Sequence, residues 1–306
     1  MKFGAQVGVY ATTWDNIRQV VECCDSGRWN SVWFADHYLP PGRPEHATAY
    51  EGFSVAAAAA AFTHNVQIGH MALGNTYRNP ALAAKMAATV DQISHGRFTL
   101  AMGAAWFQRE HEAFGWEFPP MRERQDRLQE ACELIRALFH ATAPVTYNGT
   151  YYQLDEAPLS PGPFGAPIPI MVGGTGPKRT LKTLAMFGDV FNLDGWAGGP
   201  MTKEFLDKKW GILEQHCETV GRDPTEIRKT ILVPSLVSDD KELCAAMIKA
   251  RRLGEGAAIG PKNYVIDRLG EIAGAGVDEI MIGGLNSETP EVYQHYEQEV
   301  LSAFVA

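Results

Sequence analysis

The chain lacks the cysteine pattern of a disulfide-rich or cysteine-ligated protein. Its five cysteines are an odd number and contain no C-x-x-C spacing, and Cys23 and Cys24 are neighbours. Adjacent cysteines are poorly placed to pair with each other, so free thiols in a reducing compartment are expected. We therefore predict a cytoplasmic protein that is held together by its core rather than by covalent links.

The sequence also lacks an excess of positive charge and a long apolar run. Its 306 residues carry a formal net charge of -9, which favours neither nucleic acid nor an anionic membrane as a partner. Residues 1–10 contain no apolar core of a signal peptide, and the run Ala56–Ala61 is too short to span a bilayer. These features predict a globular protein whose partner is a small molecule.

Several catalytic signatures are missing as well. There is no G-x-S-x-G hydrolase motif, and the nine histidines form no H-x-H pair of the kind that metallohydrolase barrels use. No metal site is therefore predicted. The absence of a strand–GxGxxG–helix unit argues against a doubly wound dinucleotide-binding sheet.

Strands and helices alternate along the chain. Short apolar runs predict eight strands, and a segment with helical spacing follows each of them. The predicted strands cover residues 2–9, 31–35, 66–72, 97–102, 168–172, 189–193, 227–233 and 278–282. This order predicts a single (β/α)₈ TIM barrel over residues 1–306, with extra material after strands two, four and seven.

Residues 141–167 form the most distinct insertion. The stretch 145–152 alternates around Asn148-Gly149, which predicts a β-hairpin that turns at those two residues. Five prolines follow between Pro158 and Pro169, and they predict an ordered segment without periodic structure.

The end of the second predicted strand carries the first candidate site. Active sites of α/β barrels follow the carboxyl ends of the strands, and here Asp36 and His37 take that place. Side chains alternate along a strand, so these neighbours are not expected to form a hydrogen-bonded dyad. His37 is either a structural histidine or an imidazole that polarises a substrate and passes a proton, and spacing alone leaves both open.

A glycine-rich loop follows the fifth predicted strand. Its backbone N–H groups, from Gly173 to Gly176, precede a helix predicted over 178–187 and suit a phosphate group. Lys178 and Arg179 would fall in the first helical turn, where a nearby anion would explain two cations. The alternative is a tight glycine turn with no ligand.

Four segments, in order, resemble the bacterial luciferase-like monooxygenase superfamily, and within it the branch that uses the deazaflavin coenzyme F420. They are VWFADHYL at 32–39 and the stretches 68–115, 169–192 and 260–282, of which 68–115 is the most specific. The resemblance implies the same barrel that the periodicity predicts independently.

The resemblance also implies cofactor-binding residues. Asp36 and His37 would line the ring, and a non-prolyl cis peptide at Met71-Ala72 would lie behind it. Ala104 and Ala105 would fit the cofactor edge, and the phosphate would bind to Gly173, Gly174, Thr175 and Gly176.

Two departures from the family pattern favour deazaflavin over FMN. Flavin-dependent relatives tend to carry an arginine after strand four, where this chain has Ala104, and Glu-His rather than Asp-His after strand two. Sugar-phosphate dehydrogenases of the F420 branch carry a glutamate near position 106. Here the residue is Trp106, which argues against that substrate class.

The resemblance thus implies an F420-dependent oxidoreductase that moves a hydride between the reduced cofactor and a small organic substrate. Reduction is the expected direction, because no second strong acid or base is visible. His37 would be the catalytic residue, and Tyr38, Tyr50, Trp106 and residues 141–167 would shape the pocket. The alternatives are an FMN-dependent monooxygenase and a non-enzymatic flavin-binding barrel. Family analogy also implies a homodimer.

Overall fold

Eight parallel strands close into a barrel in the computed structural model, which describes residues 1–197, 199–254, 257–285 and 289–304. The strands are β1 (Lys2–Val7), β2 (Ser31–Phe34), β3 (Gln67–His70), β4 (Leu73–Gly74), β5 (Phe98–Gly103), β6 (Val145–Asn148), β7 (Gln153–Ala157), β8 (Ile170–Gly173), β9 (Val190–Asp194), β10 (Arg228–Val237), β11 (Ala258–Gly260) and β12 (Glu279–Gly283). Strands β1, β2, β3, β5, β8, β9, β10 and β12 form the barrel, which closes where β1 pairs with β12. The predicted (β/α)₈ fold is therefore confirmed.

Helices surround this barrel. They are α1 (Trp14–Ser26), α2 (Gly52–Phe62), α3 (Pro80–Ser94), α4 (Gln108–Phe114), α5 (Met121–Phe139), α6 (Thr180–Phe187), α7 (Lys203–Val220), α8 (Lys241–Ala250), α9 (Lys262–Gly274) and α10 (Pro290–Glu299). Local capping residues set several of the starts. Asn79 accepts the N–H of Ala81 before Pro80 opens α3, and Thr202 caps α7 by accepting the N–H of Phe205.

Six side chains from alternate strand positions fill the interior of the barrel. They are Trp33, Ala101, Met171, Val190, Leu232 and Met281, and each is at most 2% exposed. A second, larger apolar layer lies between the strands and the helices. Burial of each large apolar side chain stabilises the fold by about 1.5–3 kcal/mol, so these two layers fix the barrel as a rigid support for its loops.

Helix α3 buries a different face from the one that its apolar residues predict. The sequence places Leu82, Met86, Val90 and Ile93 on one face, but Leu82 is 53% and Ile93 41% exposed. The buried face consists of small residues instead: Ala83, Ala84, Ala87 and Ala88. Small side chains let α3 approach its neighbours closely, and this leaves most of the larger apolar stripe on the surface.

The hairpin in residues 141–167 is present, but the predicted two-residue turn at Asn148-Gly149 is wrong. A four-residue connection, 149–152, joins β6 to β7, and the N–H of Gly149 donates to the carbonyl of Tyr152. The carboxylate of Glu130 on α5 accepts the N–H groups of the next three residues, Thr150, Tyr151 and Tyr152. This contact from another element fixes the longer loop, and local sequence cannot reveal it.

All five cysteines are free, as predicted, and all five are buried. Among the described residues, no helix combines the length and the apolar character that crossing a membrane requires.

Candidate active site

The end of β2 places His37 beside a buried glutamate that the sequence did not single out. His37 Nδ1 lies 2.8 Å from Oε1 of Glu110, which is fully buried on α4. The other carboxylate oxygen accepts the N–H groups of Tyr38, at 2.8 Å, and Leu39, at 3.3 Å. Glu110 therefore fixes both the imidazole ring and the backbone that carries it.

Tyr77 completes this arrangement, because its hydroxyl also donates to Oε1 of Glu110. Burial alone would raise the pKa of Glu110, but the hydrogen bonds from His37, Tyr77 and Tyr38 outweigh it and hold the pKa below its usual value. Burial and the bond to Glu110 raise the pKa of Tyr77, so the phenol keeps its proton. With Nδ1–H directed at an ionised carboxylate, Nε2 of His37 is the nitrogen left for a ligand.

Asp36 has a different partner, which confirms that it forms no dyad with His37. Its side chain is 2% exposed, and its two oxygens accept bonds from Arg78 at 2.8 and 2.9 Å. The N–H of Gly74 donates to the same carboxylate at 3.2 Å. A cofactor contact of Asp36 stays a prediction, and it would have to be made by a carboxylate that already binds Arg78.

The floor of the barrel mouth, the surface around Ala72 where β3 ends, carries few side chains. The peptide bond Met71–Ala72 is cis, as the resemblance implies, and it separates β3 from β4. A Cβ atom built on Gly173 would lie 3.3 Å from Cβ of Ala72, and one built on Gly103 would lie 3.7 Å from it. These two glycines keep the surface around Ala72 free of side chains, which suits a flat ring.

The loop after β5 is held by an arginine that sequence reasoning missed. Arg124, which is 5% exposed, donates to the carbonyl oxygens of Ala104 and Ala105. Ala105 itself adopts a left-handed backbone conformation, with φ of 59°. Arg124 thus fixes the two alanines that the resemblance assigns to the cofactor edge.

The glycine loop after β8 is anchored from α7. Lys209 is 9% exposed, and its Nζ donates to the carbonyl of Thr175 at 2.6 Å. His216 on the same helix lies with Nε2 2.8 Å from the carbonyl of Pro177. Gly174 has φ of +119°, a conformation that glycine adopts without strain. The loop therefore has a fixed shape before any ligand binds.

One prediction about this loop is wrong. Helix α6 begins at Thr180 rather than at residue 178, because residues 177–179 form a turn whose end is fixed by the bond from Leu181 N–H to Gly176 O. Lys178 is therefore outside the helix, and Arg179 pairs with Asp126. These two cations therefore give no reason to expect an anion. The N–H of Gly174 already donates to the carbonyl of Asn192 at 3.2 Å, so Thr175 and Gly176 carry the N–H groups that suit a phosphate.

The three predicted pocket residues lie in different surroundings. Trp106 is 61% exposed, and its ring centroid lies 5.3 Å from that of His37, so it borders the mouth. Tyr38 packs edge-on against Tyr77 and Trp116. Tyr50 lines a separate surface groove beside α2. Their contact with a substrate stays a prediction.

A buried carboxyl group at the end of β9 adds a second acidic group to the mouth. Oδ1 of Asp194 accepts the N–H of Trp196 at 2.8 Å. Burial raises the pKa of Asp194, while this hydrogen bond and the charge of His37 act in the opposite direction. Among the described residues, no group of three or more His, Cys, Asp or Glu side chains lies together in a way that would hold a metal ion.

Comparison with known proteins places these features in a family. The chain matches the family model described as Luciferase-like monooxygenase over residues 1–254. It is 31% identical over 214 residues to an F420-dependent glucose-6-phosphate dehydrogenase of Amycolatopsis mediterranei (strain U-32), covering 70% of this chain and 62% of that protein. The chain thus spans less than two thirds of that relative's length.

Two further matches extend along nearly the whole chain. An F420-dependent hydroxymycolic acid dehydrogenase of Mycobacterium tuberculosis is 27% identical over 292 residues, covering 94% of this chain and 77% of that protein. The solved structure of an F420-dependent secondary alcohol dehydrogenase, in complex with an F420-acetone adduct, superposes with a TM-score of 0.83. That structure is 21% identical, and the match covers 99% of this chain and 98% of the other. At this identity the superposition shows a shared fold.

Proposed function

Because this chain belongs to the luciferase-like monooxygenase family, we propose that it is an oxidoreductase that uses coenzyme F420. It moves a hydride between the reduced cofactor and a small organic substrate, in the reductive direction. The observation that carries the proposal is the pairing of His37 with the buried Glu110 at a mouth whose floor is kept bare by Gly103 and Gly173. Relatives named for F420-dependent dehydrogenation support the choice of cofactor.

The residues present fit a flat, phosphate-bearing cofactor. A Cβ atom at residue 173 would lie 3.3 Å from Cβ of Ala72, so glycine at this position keeps the floor open for a ring. Met71 and Ala72 would lie behind the ring, with Ala104 and Ala105 at its edge. The pre-shaped loop of Gly173, Gly174, Thr175 and Gly176 would surround the phosphate. The N–H groups of Thr175 and Gly176 would donate to it, because the N–H of Gly174 already donates to Asn192. Asp36 would contact the cofactor while it remains paired with Arg78.

A deazaflavin held by these residues would supply hydride chemistry, while the protein supplies position and a proton. His37 accepts or donates that proton through Nε2, because Nδ1–H is fixed on Glu110. Glu110 stabilises the imidazolium that forms when Nε2 takes up a proton. Trp106 lies edge-on to His37 at the border of the mouth, where it would contact a bound substrate. Tyr38 and the 141–167 insertion would shape the remainder of the pocket, and Tyr50 would contribute only from the separate groove beside α2.

An equilibrium titration with coenzyme F420 and with FMN tests the cofactor. We expect F420 to bind at least about tenfold more tightly than FMN, because no arginine stands at position 104 to bind the FMN phosphate. Tight FMN binding with negligible F420 affinity would favour the second candidate, an FMN-dependent monooxygenase, which the name of the family supports.

The variant His37→Ala separates an enzyme from a barrel that only binds a flavin. An enzyme should lose about 10²–10⁴-fold in turnover of reduced F420 with its affinity for the cofactor nearly unchanged. A binding protein has no turnover to lose. We further propose that the protein acts in the cytoplasm as a homodimer.

A further inference from the structure

The wall of the mouth formed by β9 carries a carboxylate that faces into the barrel. Val190 belongs to the interior cluster, and the side chain of Asn192 donates to Oγ1 of Thr230 at 3.0 Å inside the barrel. Side chains alternate along a strand, so Asp194, two residues beyond Asn192, faces inward as well. It is the last residue of β9 and therefore lies in the top layer of the barrel, where a substrate enters.

The carboxylate is held firmly on one side only. Among the described residues, hydrogen bonds reach Oδ1 of Asp194, from the N–H of Trp196, and none reaches Oδ2. The indole N–H of Trp196 donates in turn to Oε1 of Gln6 at 3.1 Å, which fixes the turn that follows β9. Oδ2 is thus a fixed hydrogen-bond acceptor beside an indole ring.

The basic side chains around the mouth are already engaged with the protein itself. Arg78 pairs with Asp36 and Glu51, Arg124 donates to backbone carbonyls, and Lys209 donates to Thr175. The guanidinium of Arg251 lies over the indole of Trp196, with Cζ 4.9 Å from the ring centroid. In the part of the chain that the structure describes, the one basic group that acts on Asp194 from across the mouth is His37, and it is paired with Glu110. Around Oδ2 the described residues therefore offer the aromatic surface of Trp196 rather than a set of cations directed at an anion.

We propose that Asp194 determines substrate specificity at this mouth. It selects planar, apolar molecules that carry a hydrogen-bond donor or a positive charge, and it rejects phosphorylated or carboxylated ones. The proposal rests on the function proposed above, since it concerns the substrate of the same site. It separates this chain from relatives that are named for the oxidation of a sugar phosphate.

Three probes of similar shape and different charge test this assignment: benzylammonium, benzyl alcohol and benzoate. Each is titrated at pH 8 into the protein without cofactor, and binding is followed by the shift of the Trp196 indole N–H signal in ¹⁵N NMR. We expect benzylammonium to bind at least about tenfold more tightly than benzoate. Asp194→Asn should bring that ratio close to one, because the amide keeps the acceptor for the Trp196 N–H and loses only the charge.

The matched control is Asp239→Asn, which removes the same charge from an exposed position and should leave the ratio unchanged. Equal binding of benzoate, a ratio unaffected in Asp194→Asn, or no response of the Trp196 signal to benzylammonium would each overturn the proposal. A parallel F420 titration of wild type keeps the two proposals apart. Tight F420 binding with an overturning probe result sinks only the specificity assignment, while absent F420 binding sinks the proposed cofactor.

Discussion

At the scale of single residues, Glu110 is the group on which His37 depends. Sequence reasoning found His37 because histidine at the end of a barrel strand is chemically conspicuous. It missed Glu110, which lies 73 positions later on a seven-residue helix whose polar sequence does not show that Glu110 and His111 are buried. Only the folded chain shows that this glutamate is fully buried and binds the ring and two backbone N–H groups.

Replacing Glu110 with Gln should lower kcat by about 10- to 100-fold and leave the dissociation constant of F420 within about twofold, because the amide cannot stabilise an imidazolium. Glu112→Gln, on the exposed face of the same helix, is the control. The ¹⁵N NMR signals of the His37 ring report which nitrogen carries the proton. Because the amide oxygen of Gln can still accept Nδ1–H, that tautomer should stay the same in Glu110→Gln, and an unchanged kcat in this variant would contradict the prediction.

His70 makes stability depend on pH. The ring is fully buried, neither nitrogen has a hydrogen-bond partner among the described residues, and burial lowers its pKa to about 4. The unfolded chain binds a proton near the ordinary pKa of about 6.5, so acid favours unfolding. The free energy of unfolding therefore includes the full contribution of neutral His70 above about pH 6.5. That contribution declines as the pH falls towards 4.

Between pH 7.5 and pH 5 the wild type should therefore lose about 2 kcal/mol of unfolding free energy through this residue. In His70→Leu, denaturant unfolding should show a decrease in unfolding free energy over the same pH range that is smaller by about 2 kcal/mol. His295→Gln, at an exposed position on α10, should behave like the wild type. Equal pH dependence in wild type and His70→Leu would mean that His70 is not the titrating group.

At the scale of elements, the glycine loop owes its shape to α7. The bounds of α7 follow local signals, because its apolar stripe, the Thr202 cap and Gly221 agree with one another. Local signals do not show that Lys209 lies inward with its ammonium on the carbonyl of Thr175. A buried lysine is rare and is not expected from helical spacing alone.

Removal of this anchor should weaken cofactor binding. Lys209→Met leaves the Thr175 carbonyl without its donor, at a cost of about 1–3 kcal/mol, and loosens the loop. We expect F420 affinity to fall by about tenfold or more, measured by equilibrium titration. Lys208→Met removes an equivalent but exposed charge one residue earlier and should have little effect. The same affinity in both variants would show that the loop holds its shape without Lys209.

At the scale of the whole molecule, the barrel was predictable and the connections between its units were not. The eight barrel strands follow from the periodicity of short stretches of sequence, whereas the short strands β4 and β11 were not predicted. By contrast, two kinds of contact join residues that lie far apart in the chain: those of Glu130 and the Arg78–Asp36 pair. Which face of α3 is buried likewise depends on its neighbours in space. Local patterns carry no information about such pairs, so the candidate site was predicted only as far as its strand ends.

The exposed stripe of α3 offers a test of the proposed homodimer. We expect light scattering after size-exclusion chromatography to give twice the mass of the chain. Leu82→Lys combined with Ile93→Lys should yield the monomer, because two charges on an apolar contact oppose association. Val220→Lys, at another exposed apolar position, should remain dimeric. A wild-type protein of monomeric mass would contradict the proposal.

The bond between Glu110 and His37 also bears on how this barrel can be re-engineered. Loops of α/β barrels are often treated as exchangeable modules, each belonging to its own strand. Here the loop after β2 and the helix after β5 share one buried carboxylate, so they form a single module. If only the loop with His37 is transferred into another barrel, its imidazole loses the carboxylate that orients it. If only that loop is replaced in this chain, Glu110 stays buried without its partner. Both segments must therefore be exchanged at once.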